Sequence, residues 1–82
     1  MVNRMTKMNS VVFLQDFQLE VVMSDGRCYL YDMRPKLKTV RFYDLSDWEV
    51  FSKGYIKREQ MICWDNGSEL FMDEIMAAGQ HR

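Results

Sequence analysis

One proline, four glycines, two cysteines and a single histidine in 82 residues exclude a good deal. With one proline there is no polyproline or low-complexity linker, and the chain reads as one compact unit. Two cysteines, Cys28 and Cys63, are too few for a disulfide framework and lack the spacing of a zinc site. Both are expected to act as small hydrophobes. The lone histidine, His81, lies in the last two positions, which leaves nothing on which to build a catalytic triad or a histidine metal site. No apolar run approaches the roughly 20 residues of a membrane span, and the chain opens without a secretory leader, so the expected location is the cytoplasm. Charge of either sign is also missing in excess. Eleven basic against twelve acidic residues give a net charge of −1, and no overall field draws the chain to nucleic acid.

What is present is apolar and aromatic. Hydrophobic residues make up 48% and charged residues 28%, a balance that folds rather than stays disordered. Residues 1–9 are read as a loose lead-in, 10–79 as a single α+β domain and 80–82 as a frayed tail. Val11-Val12-Phe13-Leu14 is a short leading strand. Phe17, Leu19, Val21 and Met23 alternate with Gln18, Glu20, Val22 and Ser24, a period of two that marks a strand with one apolar face. Asp25-Gly26 then predicts a two-residue type I′ turn, and Arg27 to Asp32 returns as the second strand of a hairpin. Arg34-Pro35 ends it. Lys36 to Tyr43 fits either a short edge strand or a crossing segment.

Ser46 and Glu49 have the spacing of a capping box, so a helix is expected from there through Phe51, with Gly54 as its left-handed C-terminal cap. Tyr55 to Arg58 and Met61 to Trp64 form a second hairpin around Glu59-Gln60. Asp65-Asn66-Gly67 makes a tight corner in which Asn and Gly can take positive φ. The last element, Phe71 to Ala78, is a helix with Ile75, Ala78 and Phe71 or Met72 on its apolar face, stopped by Gly79. The fold expected is a two-layer α+β domain: an antiparallel sheet of two hairpins and a leading strand, with two short helices on one face.

Phe17-x-Leu19-x-Val21 to Asp25-Gly26, Leu45-x-Asp47 to Phe51, and Trp64-x-Asn66-Gly67-x-Glu69-Leu70 occur in an order that resembles the bacterial family called domain of unknown function 2442, over roughly residues 10 to 76. The resemblance implies a small α+β domain without an established activity. It also implies, for part of the family, a C-terminal helix-turn-helix or a neighbouring small toxin-like protein. This chain departs from the pattern at Trp48, where relatives carry a polar residue or proline, and at Phe71-Met72, where they carry a capping residue and proline.

Candidate sites are correspondingly few. Asp25, Gly26, Ser46, Glu49, Phe51, Trp64, Asn66 and Gly67 are assigned to the fold. Carboxylates at turns and helix starts have local structural reasons, so the chain reads as a non-enzyme without metal or cofactor. Arg34, Lys36, Lys38 and Arg41, with Tyr43 beside them, make the one basic cluster. On a strand, Lys36 and Lys38 share a face, which serves either as a solvated edge or as a phosphate contact. Trp48 is read as a partly exposed anchor for association with itself or a partner. The function these residues suggest is protein interaction, by resemblance as an antitoxin-like partner; nucleic-acid binding through the basic cluster and small-ligand binding are the alternatives.

Overall fold

The computed structural model describes residues 6–81, with side chains through Gln80. It is an α+β fold of seven strands and two short helices: β1 (Met8–Leu14), β2 (Gln18–Met23), β3 (Cys28–Asp32), α1 (Trp48–Phe51), β4 (Tyr55–Lys57), β5 (Met61–Cys63), β6 (Glu69–Phe71), α2 (Met72–Ala78) and β7 (Gln80–His81). Two 3-10 helices, Lys36–Lys38 and Val40–Ser46, lie between β3 and α1. The strands divide into two antiparallel sheets rather than the single one expected, in the orders β1-β2-β3-β7 and β4-β5-β6.

β1 begins at Met8, whose side chain is 2% exposed, so the ordered core starts inside the expected lead-in. The expectation for residues 1–5 lies outside the described residues. At the other end Gln80 and His81 pair with Leu30 and Tyr29 instead of fraying. Two backbone pairs are enough to place them on the outer edge of β3.

Three of the hairpin connections share one loop, not the type I′ turn expected at Asp25-Gly26. The amide of Phe17 bonds the carbonyl of Leu14, that of Gly26 the carbonyl of Met23, and that of Gly67 the carbonyl of Trp64. Phe17, Gly26 and Gly67 are the third loop residues, and their φ angles are 62°, 90° and 94°. This is the three-residue hairpin with a positive-φ bulge residue. The middle residue is Asp16, Asp25 or Asn66 in turn. Asp25 and Asn66 each accept a hydrogen bond from the amide two residues on, which fixes the turn without their own φ becoming positive. Phe17, expected to open β2, therefore sits in a conformation costing roughly 1 kcal/mol for a non-glycine residue. Its ring is the compensation, lying 5.1 Å from Phe51 and 5.8 Å from Trp48.

The fourth turn places Arg58 and Glu59 both at positive φ, the type I′ pattern with no glycine in it. Its backbone is pinned from two sides: the Glu59 carbonyl accepts from the Met8 amide at 2.8 Å and the Gln60 carbonyl from the Met72 amide at 2.9 Å. One bond from the larger sheet and one that continues the β5–β6 ladder thus hold a turn that its residues alone do not favour.

α1 starts one residue later than the capping-box spacing predicts. Asp47 is the N-cap, its carboxylate accepting from the Glu49 amide at 3.0 Å, while Ser46 Oγ donates to the Tyr43 carbonyl. Gly54 is not a left-handed cap either. A Cβ there would lie 2.6 Å from Trp64 Nε1 and 2.8 Å from Phe13 Cζ, so glycine is required by close approach. In α2 Ile75 is buried with Met72 and Met76 packed beside it, whereas Ala78 and Phe71 face solvent. Phe71 has no side-chain oxygen to cap the helix, and half of the usual box survives as Glu74 accepting from the Phe71 amide at 3.2 Å.

One core joins both sheets. The inward rows Val11-Val21-Tyr29 and Phe13-Leu19-Tyr31 face Phe42, Leu45, Phe51, Ile62, Trp64, Leu70 and Ile75. Phe51, fully buried, is the hub of five rings; Phe13, Phe17, Trp48 and Trp64 all lie within 6.3 Å of it, centroid to centroid. Trp64 Nε1 donates to the Phe51 carbonyl at 2.8 Å, satisfying a buried polar atom at the end of α1.

Two glycine substitutions separate these causes. Gly67→Val meets open space but must hold a φ of 94°, and is expected to lower stability by about 1–3 kcal/mol while leaving tryptophan emission unchanged. Gly54→Ala is expected to cost a similar ~1–3 kcal/mol by overpacking and to shift the emission, because the added methyl displaces the Trp64 ring. Denaturant melts followed by fluorescence check both, and an unaltered emission for Gly54→Ala contradicts the packing described.

Candidate functional site

The outward side of the larger sheet is where the fold leaves apolar surface unused. Strand register aligns three rows there: Ser10-Val22-Cys28, Val12-Glu20-Leu30 and Leu14-Gln18-Asp32. None of these residues belongs to the core cluster or to the residues packed against it. Val12 is 50% exposed, and Leu14, Val22, Cys28 and Leu30 are half-buried. Five of nine positions on a side expected to be mostly wet are therefore apolar, two are acidic and none is basic. At the β3 side this face runs into a groove of about 410 Å³ lined by Gln18, Leu30, Asp32, Arg34, Ala78 and Gln80. The sequence carries the signal in Val22 and Leu30, apolar residues at the wrong parity for the core.

The structure divides the basic cluster between two ion pairs and a 3-10 helix. Lys36 and Lys38 belong to a 3-10 helix, so no strand presents them together. Arg34 grips Asp32 through Nε and Nη2, with contacts of 2.8–3.2 Å, and holds its carboxyl below the usual range. Arg41 donates to both Glu74 oxygens at 2.9 and 2.8 Å and to the Glu69 carbonyl at 2.8 Å, its guanidinium 4.5 Å from the Phe42 ring centre. Trp48 is half-buried within the aromatic cluster, against Phe17 and Phe51. Tyr43, in contrast, is 66% exposed. Cys63 is buried, which pushes its thiol up, and Cys28 sits on the open face. The side chain of His81 lies outside the described residues.

The Arg41–Glu74 pair has a job in the fold. The Trp64 amide bonds the Ser68 carbonyl and the Met72 amide the Gln60 carbonyl, so alternation along β5 and β6 turns the backbone groups of Glu69 and Phe71 outward. Arg41 takes the Glu69 carbonyl and Glu74 takes the Phe71 amide. Two side chains thus occupy part of an edge that would otherwise be open for another strand. Thirty-three residues separate them, and no local spacing announces the pair. Beside it, Val40, Arg41, Asp44, Asn66, Gly67, Ser68, Glu69 and Phe71 line a cleft of about 360 Å³, which sets the Asn66-Gly67 turn at a rim rather than in the core.

A family model described as "Protein of unknown function (DUF2442)" matches residues 8–81. The chain belongs to this family. The DUF2442 match runs from the first residue of β1 to β7, so it takes in both sheets and both helices. No curated protein and no solved structure matches the chain.

Among the described residues no group of three or more His, Cys, Asp or Glu is placed to hold a metal ion. No described helix is long and apolar enough to cross a membrane.

The latch on β6 should titrate. Arg41 holds the Glu74 carboxyl below its ordinary value of 4.5, opposed by burial and aided by the Phe71 amide. With the folded value depressed, the stabilisation is present above pH ~4.5 and is lost as pH falls through the folded value. Both groups are partly exposed, so the contribution is about 1 kcal/mol. Glu74→Gln is expected to lower stability by that amount at pH 7 and by little at pH 3; melts of both proteins across this range check the sign.

Proposed function

We propose that this domain is a protein-interaction module that uses the outward face of β1-β2-β3 to hold a partner protein. The observation that carries the reading is the row structure of that face, five apolar residues on a sheet side against which no core residue packs. Small domains seldom leave a contiguous apolar sheet surface in water without a use for it. Asp32 is already held by Arg34, so the partner this face favours is one that meets its five apolar side chains with apolar residues of its own. The likeness to relatives encoded beside small toxin-like proteins makes a small toxin one such partner, on resemblance alone. Nucleic acid is the weaker reading, because Arg34 and Arg41 of the basic cluster are committed to Asp32 and Glu74.

Val12→Lys tests this with little risk to the fold, since Val12 is half exposed on the open face. Tagged wild-type and Val12→Lys proteins purified from the native host are expected to differ in one stoichiometric protein, retained by the first and lost from the second. Identical companions, or none with either protein, contradict the reading.

A further inference from the structure

A second surface has features that the partner face lacks. In the 3-10 helix Val40–Ser46, residues three apart eclipse, so the chain sorts into ridges. Phe42 and Leu45 form the inner ridge, 1% and 0% exposed. Val40 and Tyr43 form the outer one, 99% and 66% exposed, apolar and aromatic side chains held in water by a backbone that two buried anchors fix. Seven residues is long for a 3-10 run, and buried anchors at this spacing account for its persistence.

Charge completes the pattern. Lys38, just before the helix, and Asp44, within it, line one cleft of about 370 Å³ with Thr39, Val40 and Tyr43. Neither takes part in the four ion pairs found among the described residues. Read along the chain, the surface runs cation, Val40, Tyr43, anion. Such a strip is complementary to itself when turned end for end: the apolar ridge meets its own copy at a two-fold axis, and each Lys38 comes opposite the other copy's Asp44. Phe71, 42% exposed on the neighbouring cleft that Val40 and Asp44 also line, extends the apolar contact.

We propose that the protein forms a two-fold symmetric homodimer in which the 3-10 helices Val40–Ser46 of two copies lie antiparallel, Val40 and Tyr43 at the centre and Lys38–Asp44 pairs at both ends. Isologous contact of this kind needs residue i against j and j against i, which the strip supplies and which a head-to-tail or parallel arrangement does not. The patch is small, so the dimer belongs to the weak class with micromolar dissociation constants. It leaves the outward face of β1-β2-β3 free.

Sedimentation equilibrium with charge exchange decides it. Lys38→Asp and Asp44→Lys, both at exposed positions, are each expected to weaken the wild-type dimer tenfold or more by setting like charges opposite one another. An equimolar mixture of the two variants is expected to dimerise as wild type does, because one copy then offers aspartate at both positions and the other lysine. Val40→Asp is expected to leave a monomer with an unchanged circular dichroism spectrum. A wild-type protein that stays monomeric at about 1 mM overturns the proposal, as do charge variants that dimerise unaltered or that fail to recover on mixing.

Discussion

The contact between Trp64 and Phe51 holds the structure together. The smaller sheet has too little strand to stand alone: β4, β5 and β6 have three residues each, and isolated ribbons of that length are unstable in water. The indole of Trp64 leaves β5, donates its one hydrogen bond to the carbonyl at the end of α1, and lies nearly parallel to the Phe51 ring at an interplanar angle of 19°. Phe13 brings β1 to the same point, edge-on to both rings. Gly54 removes the Cβ that would hold β4 away. From these residues follow the closeness of β1 and β4, the Met8–Glu59 backbone bond, and with it the turn that holds Arg58 and Glu59 at positive φ.

The same economy explains the unused surface. One helix of four residues and another of seven cover only the inward side of the larger sheet, and among the described residues no helix lies on the outer side. Edges are handled economically, with the side chains of Arg41 and Glu74 on β6 and a two-residue strand on β3. A domain built this way leaves a flat sheet face and a short helical ridge in water.

Much of this was legible in the sequence, and the rest was hidden for identifiable reasons. The alternation from Leu19 to Met23 marked its strand because burial on one face imposes that period. Asp25-Gly26 marked a turn but not its type, since one positive φ or two depends on the register across the hairpin, which the dipeptide does not encode. Phe17 and Arg58 were opaque because tertiary contacts, not local preference, hold them at positive φ. Ser46 fits the capping pattern, yet Asp47 beside it has a carboxylate of better reach, and a one-residue shift lies within what spacing resolves. Lys36 to Tyr43 fitted an edge strand through Val40 and Phe42, whereas the segment is 3-10 helix and its period of three shows only when Phe42 is set beside Leu45, the two buried residues of its second helix. Of the candidate surface, the apolar parity of Val22 and Leu30 was readable, whereas the capture of Arg41 by Glu74 needed the fold.

Native-state hydrogen exchange on wild type and Trp64→Phe reads whether the two sheets open together. If the indole contact unites the sheets, amides of β2 and of β5 exchange with the same opening free energy in the wild type, and the variant lowers both by the same amount, about 2–3 kcal/mol for the lost bond and the orphaned carbonyl. A wild type in which β5 opens well below β2, or a variant that lowers β5 alone, contradicts the account.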